Sequence, residues 1–331
     1  MMAGFIVNLL SATVSGATVF ILAGLGEVIS ERAGVLNLGV EGMMLIGALT
    51  GFATTFLTGS YWLGFVVGSL CGAALSLVHA FLCVTLKSDQ AISGIMITLL
   101  GTGLTTYFGA EWTSKSISGF PDVTVPLVGE YLVQIPALGP IFFRNPMTDY
   151  IALLLIPAVW AFLYRTNIGL EIMSVGEDPE TADTMGVDVF KIQYLAVFLG
   201  GLLAGAAGAH LSLAFNQLWS TGMTAGRGWI AVALVIFAQW KPSRILVGSY
   251  LFGLFSVFQL RSQALSFAVP ANVPLAGVFN DLLTFLLNPT IMSTYPYLAT
   301  LFVLVVVVYR NENTHLEQPS ALVQSYSRET D

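Results

Sequence analysis

Apolar stretches of near membrane-crossing length recur along the chain, close to residues 4–24, 38–57, 61–86, 90–109, 149–165, 192–213, 229–240, 244–265 and 296–309. About 20 helical residues cross the roughly 30 Å hydrocarbon layer. The pattern therefore predicts an all-α polytopic membrane protein of about eight to ten transmembrane helices. The run 229–240 is short, and so is 274–288, which Pro270, Pro274 and Pro289 bracket. Both are expected to be re-entrant or half of a broken helix, because proline interrupts helical hydrogen bonding. One transmembrane domain over 1–310 is expected, with a loop at 110–148 and a polar, mobile tail at 311–331.

The polar interruption that carries helix punctuation is 166–193, TNIGLEIMSVGEDPETADTMGVDVFKIQ. Asp178 is a good N-cap, Pro179 suits the first helical position, and Gly186 can close the helix in a left-handed conformation. Glu180 and Asp183 favour the positive end of the helix dipole. These signals predict a helix of about seven residues, roughly 10 Å long. A helix that short does not persist alone in water, so it is expected to be held against something.

Composition narrows the class. Of the 331 residues, 56% are hydrophobic and 9% charged, and mean hydropathy is +0.81; soluble domains carry about 25% charged residues. The net charge of −7 argues against nucleic acid as a partner and is concentrated outside the spans, with six acids between Glu171 and Asp188. Cys71 and Cys83 fall in one span, too far apart along a helix to bridge. The N-terminus lacks a basic lead and cleavage site, so its first run is expected to be a retained span. Basic residues at span ends orient the chain. With 166–193 and the tail cytoplasmic, Arg32, Lys87, Arg165, Lys191, Lys241, Arg244 and Arg310 lie inside, and Lys115, Arg144, Arg227 and Arg261 lie outside with loop 110–148.

Two further patterns bear on mechanism. Gly59-Ser60-Tyr61-Trp62-Leu63-Gly64 recurs as Gly248-Ser249-Tyr250-Leu251-Phe252-Gly253, and in that frame Glu41-Gly42 lies opposite Ile230-Ala231. With the copies crossing in opposite senses, this predicts an inverted repeat with a pathway near the midplane. The other is 24–42, GLGEVISERAGVLNLGVEG, where glycines interrupt the helical pattern among three acids, one arginine and one asparagine. Charges at membrane depth tend to mark a pathway. Glu27 or Glu31 is a partner for Arg32, and Asn37 and Glu41 are expected at a helix break; the alternative is an interfacial loop with its charges among headgroups.

GLGEVISERAGVLNLGVEGMMLIGA resembles the signature of permease subunits of nucleoside ABC importers, within the branched-chain amino acid and ribose-type permease group. VGEDPETADTMGVDV is similar to that group's cytoplasmic coupling segment. GRGWIAVALVIFAQWKPSRILVGSYLFG is similar to its Gly-Trp-Ile-Ala span and Pro turn, although Gln239 stands where the group usually has glycine. The resemblance implies a permease pair in the plasma membrane, two cytoplasmic ATPase subunits and an external substrate-binding protein. It implies that the helix from Asp178 and Pro179 to Gly186 docks in an ATPase groove, with Ala182 and Met185, three apart, on one face.

For the pathway, Asn37, Glu41, Trp229, Asn280 and Asp281 are the candidates, since an aromatic face and amide or carboxylate acceptors suit a base and sugar hydroxyls. Trp229 also fits an interfacial belt, and Asn280-Asp281 a helix cap. His79 and His210 lack zinc spacing and read as polar inter-helix contacts; no metal or cofactor is expected. No G-x-x-x-x-G-K-[ST] run is present, so ATP chemistry is assigned to a partner and not to this chain. Nucleosides are the expected solute. Simple sugars such as ribose and a stand-alone ion-coupled transporter are the rivals.

Overall fold

A computed structural model describes residues 2–124, 132–135, 138–262, 276–292, 294–310 and 318–327. Pro270 and Pro274, parts of loop 110–148, and tail residues 311–317 and 328–331 lie outside the described residues.

The helices are α1 (Met2–Arg32), α2 (Val40–Thr58), α3 (Tyr61–Ala80) and α4 (Gln90–Gly109), then α5 (Leu138–Phe142), α6 (Met147–Arg165), α7 (Asn167–Glu177) and α8 (Pro179–Thr184). They continue with α9 (Val189–His210), α10 (Arg227–Ala238), α11 (Pro242–Ser262), α12 (Ala276–Leu286), α13 (Pro289–Met292) and α14 (Tyr295–Arg310). A small antiparallel ribbon pairs β1 (Asp122–Thr124) with β2 (Arg144–Pro146), Val123 opposite Asn145. Among the described residues, seven helices are long and apolar enough to cross a membrane. The chain is an all-α polytopic membrane protein, and α10 is the expected short apolar helix.

Local chemistry sets several helix starts. Ser60, Asp89, Thr166, Asp178 and Asp188 each accept a hydrogen bond from a backbone N–H three residues on, opening α3, α4, α7, α8 and α9. Past α3 and α9 the backbone widens into one π turn, Phe81–Thr85 and Leu211–Phe215, closed by bonds from Leu86 N–H to Phe81 O and from Asn216 N–H to Leu211 O.

The first span is longer than the apolar run suggests. α1 passes through Gly24 and Gly26 to Arg32, and the chain is buried without interruption from Thr13 to Val35. It is the central helix, so its last two turns carry Glu27 and Glu31 into the interior.

Packing follows the repeat. Gly16 of α1 meets Val257 and Gly253 of α11, while Gly205 of α9 meets Gly68 and Ser69 of α3. In the frame of the Gly-Ser-Tyr strings, Gly16 stands opposite Gly205 and Val257 opposite Gly68, so one contact is the counterpart of the other. The sense of the copies is opposed. Along α1, Ser15 meets His210 and Gly26 meets Gly200, so α1 and α9 run antiparallel. Glycine makes these approaches possible: a Cβ on Gly47 would lie 2.3 Å from the Gly205 carbonyl oxygen, and one on Gly72 would lie 2.5 Å from Gly205 Cα.

His79 and His210 knit helices together. His79 bonds the Ser93 hydroxyl (2.9 Å) and the Leu36 carbonyl (3.1 Å). His210 bonds the Thr148 hydroxyl (2.8 Å) and the Ser15 carbonyl (3.0 Å), with Asp149 at 3.6 Å.

Candidate functional site: a buried helix junction and a capped surface helix

The chain breaks after α1 at Gly34, whose φ of +82° is open to glycine at little cost. The peptide from there to Gly39 is held by side chains rather than by helix. Gln90 accepts from Leu36 N–H (2.8 Å), and the Thr98 hydroxyl donates to the Leu38 carbonyl (3.0 Å). Asn37, fully buried, accepts from Gly39 N–H (3.1 Å) and donates to Glu27 (3.1 Å). The Trp240 indole donates to Glu31 at 2.5 Å, and Arg32 donates through Nε to the Trp240 carbonyl at 3.2 Å. Glu27 Oε2 and Glu31 Oε1 have no hydrogen-bond partner among the described residues.

Beyond the break, Glu41 in the first turn of α2 reaches the start of α10. Its carboxylate accepts from the Thr224 hydroxyl (2.6 Å), Gly226 N–H (2.8 Å) and Gly228 N–H (2.7 Å). The N-terminal N–H groups of α10 have no helical partner of their own, and the helix dipole favours an anion there. Gly226 turns with φ +79°, and a Cβ on Gly228 would fall 2.6 Å from the Glu41 backbone. Arg227 is within electrostatic reach of Glu41, and Tyr297 of α14 stands against Gly226. A membrane-length helix, α2, and a short one, α10, from opposed copies thus start from one point, joined by a carboxylate.

Of the pathway candidates, the structure brings together Asn37, Glu41 and the start of α10, where Trp229 is half exposed. Asn280 (half-buried) and Asp281 (exposed) stand on a separate helix, α12. Sequence reasoning missed Thr224, Gly226, Arg227, Gly228 and Tyr297. The Gly-Arg-Gly run before Trp229 was the available signal for all but Thr224 and Tyr297.

At the other place of interest, α8 is the expected capped helix. Asp178 accepts from Thr181 N–H (3.0 Å) and from its hydroxyl (2.5 Å), which holds its carboxyl below the usual carboxylate range. Pro179 occupies the first turn, and Gly186 follows the helix with φ +90°. The expected shared face of Ala182 and Met185 does not form: Ala182 is 3% exposed and packs into the core, while Met185 is 80% exposed. After one short helical turn the chain swings away, and Val187 N–H bonds back to the Ala182 carbonyl, so the two side chains diverge. Nor does α8 stand alone. α7 precedes it, and its Gly176 packs on the Arg32 carbonyl at the end of α1.

The tail departs from expectation as well. Residues 318–327 lie against this end of the molecule, with Ala321 N–H bonded to the Gly176 carbonyl at 2.9 Å and the Tyr326 hydroxyl to Asp183 at 2.9 Å. At the opposite end, a polar cavity of about 330 Å³ is lined by Ser11, Ser15, Asp122, Arg144, Asn216 and Arg261, among others.

A buried polar junction between a membrane-length helix and a short apolar helix of the opposed copy, inside a bundle of membrane-length helices, defines a multi-pass membrane transport subunit. Residues 9–288 match the family described as "Branched-chain amino acid transport system / permease component". The chain belongs to that family and is an ABC transporter permease subunit. It is 67% identical over 327 residues, 99% of each chain, to "Putative glucose ABC transporter permease protein TsgC13" of Haloferax volcanii. It is 35% identical over 264 residues to the guanosine ABC transporter permease protein NupQ of Bacillus subtilis, covering 75% of this chain and 82% of that one. It is 33% identical over 266 residues to the nucleoside ABC transporter permease protein NupC of Lactococcus lactis, covering 76% and 83%.

Proposed function

We propose that the chain is one of a pair of permease subunits in an importer of the cell membrane, with α8 and the tail on the cytoplasmic side. In this reading an ATPase subunit receives α8 in a groove, and an external binding protein delivers the solute. The observation that carries it is α8 itself. A helix of one to two turns is capped at both ends and seated through Ala182, yet it presents Met185 to the outside. Met185 is 80% exposed among the described residues, and methionine adapts well to a partner surface. Acids around it, Glu177, Glu180 and Asp183, give a rim for basic groups and set register more than affinity.

The path runs beside the Glu41 junction. Trp229 offers an aromatic face, and Asn280 and Asp281 offer polar groups from α12. Asn37 and Glu41 hold the junction's shape. The solute is built on a sugar. The full-length similarity to the Haloferax volcanii protein favours a simple hexose, and the guanosine and nucleoside permeases, with the motif resemblance, favour a nucleoside as the second reading.

Vesicles containing the whole transporter should take up labelled glucose only with ATP inside, and Met185→Asp should abolish that uptake while the subunit stays folded. Guanosine uptake in place of glucose selects the second solute. Uptake by the lone chain that collapses with an ionophore overturns the reading.

A further inference from the structure

Residues 318–327 lie beyond residue 288, where the family match ends, and were expected to be mobile. They are instead tied down along their length. At the near end, the Ser320 hydroxyl donates to Glu177 at 3.0 Å, and Ala321 N–H donates to the Gly176 carbonyl. At the far end, the Tyr326 ring lies 5.9 Å from that of Phe190 in α9, its hydroxyl bonds Asp183 of α8, and Lys87 bonds the Ser327 hydroxyl at 2.8 Å. Between these points Ala321, 7% exposed, closes a three-layer stack. A Cβ on Gly34 would sit 3.3 Å from the Ala321 carbonyl oxygen, and one on Gly176 would sit 2.0 Å from the Arg32 carbonyl oxygen. The tail, the end of α7 and the break after α1 are therefore packed backbone on backbone.

The hinge points on either side of α8 explain why such a stack matters. Asp178 is extended, and Gly186 is left-handed. Pushed from outside, a six-residue helix between two bends would swing by itself. The segment bonded to Asp183 and Gly176 at once removes that freedom, yet leaves Met185 exposed.

We propose that residues 318–327 are a strap that makes α8 and the break after α1 move as one body. A push on α8 then reaches Gly34–Asn37, and through Asn37 the Glu41 junction. The proposal rests on the reading that α8 receives the ATPase. Tyr326 and Ala321 are positioning residues in it, because they touch neither partner nor solute.

The test is hydrogen exchange on the assembled transporter with and without ATP, comparing the intact chain with a chain ending at Glu317 and with Tyr326→Phe. In the intact transporter ATP should change exchange at both 178–187 and 33–39. In the two strap variants the change at 178–187 should persist, while that at 33–39 falls roughly fivefold. Tyr326→Phe keeps the ring on Phe190, so it decides the matter if the shortened chain does not assemble. Full ATP response at 33–39 in Tyr326→Phe and the shortened chain overturns the strap. Absence of any ATP response at 178–187 in the intact transporter overturns the docking reading instead, and the strap with it.

Discussion

The Glu41 junction and the α8 surface use carboxylates in opposite ways. At the junction one buried carboxylate meets three donors from its own chain, and the glycines around it leave no room for a side chain to intervene. At α8, Glu177, Asp178 and Glu180 are exposed and Asp183 is half-buried, their bonds cap a turn or hold the tail, and the exposed apolar residue among them points away from the molecule. The first arrangement spends its polar groups on internal geometry, and the second leaves most of its carboxylates in solvent. Burial thus separates the two stretches, although both looked equally polar in sequence.

The largest expected effect breaks the junction. Glu41→Ala strands three donors, of which the Thr224 hydroxyl and Gly228 N–H are buried, and should cost about 3 kcal/mol, given about 1–3 kcal/mol for each buried group left unpaired. Thermal melting of the detergent-solubilised subunit should drop well below that of the parent; an unchanged melt would mean that α10 starts without its anion. Next, Gly47→Ala drives a methyl group against the Gly205 backbone, where overpacking costs typically about 1–3 kcal/mol. The same change at Gly59, which has open space around it, should cost less through crowding and more through its φ of +73°. Comparing the two melts separates the causes.

Met185→Asp sharpens the contrast from the other side. An exposed substitution away from the core shifts stability by within about 0.5 kcal/mol, so the melt should not move while co-purification of the ATPase is lost. Ala182→Asp should do the reverse of what its spacing from Met185 suggests, lowering stability first, because its side chain faces the core. The smallest effect concerns pH. The Asp178 carboxyl is depressed by Thr181, so its contribution is complete above the ordinary carboxylate range. It fades only as pH falls through the still lower folded-state value. Exchange at Thr181 N–H, corrected for intrinsic rate, should therefore stay flat from neutrality to about pH 5. A loss of protection already at pH 6 would contradict the cap.

Much of this was legible from local pattern. The apolar runs located the spans, the Asp-Pro and Gly signals located α8, and the Gly-Ser-Tyr strings exposed a repeat whose reciprocal packing appears in the fold. What escaped depended on partners distant in sequence. The last turns of α1 fell outside the expected span, with an interfacial loop as one of two readings, because Glu27, Glu31 and Arg32 are polar. They are helical and buried because Asn37 and Trp240 supply hydrogen bonds from elsewhere. The tail looked mobile because nothing in its composition announces a seat on Gly176 and Asp183. At Gln239, the departure from the group's glycine acquires a reason to be noticed. Its φ is +53°, followed by Trp240 at +55°, a conformation that glycine reaches at least cost, and here the Arg244 guanidinium bonds the Gln239 side chain.

The glycine contacts between α1, α3, α9 and α11 have one more effect. Where backbone meets backbone there are no interlocked side chains to lift out of register, so a small slide between the two halves needs no rotamer to change. Such a seam has the build of a dry bearing. Its weakness is that a single added carbon works as grit.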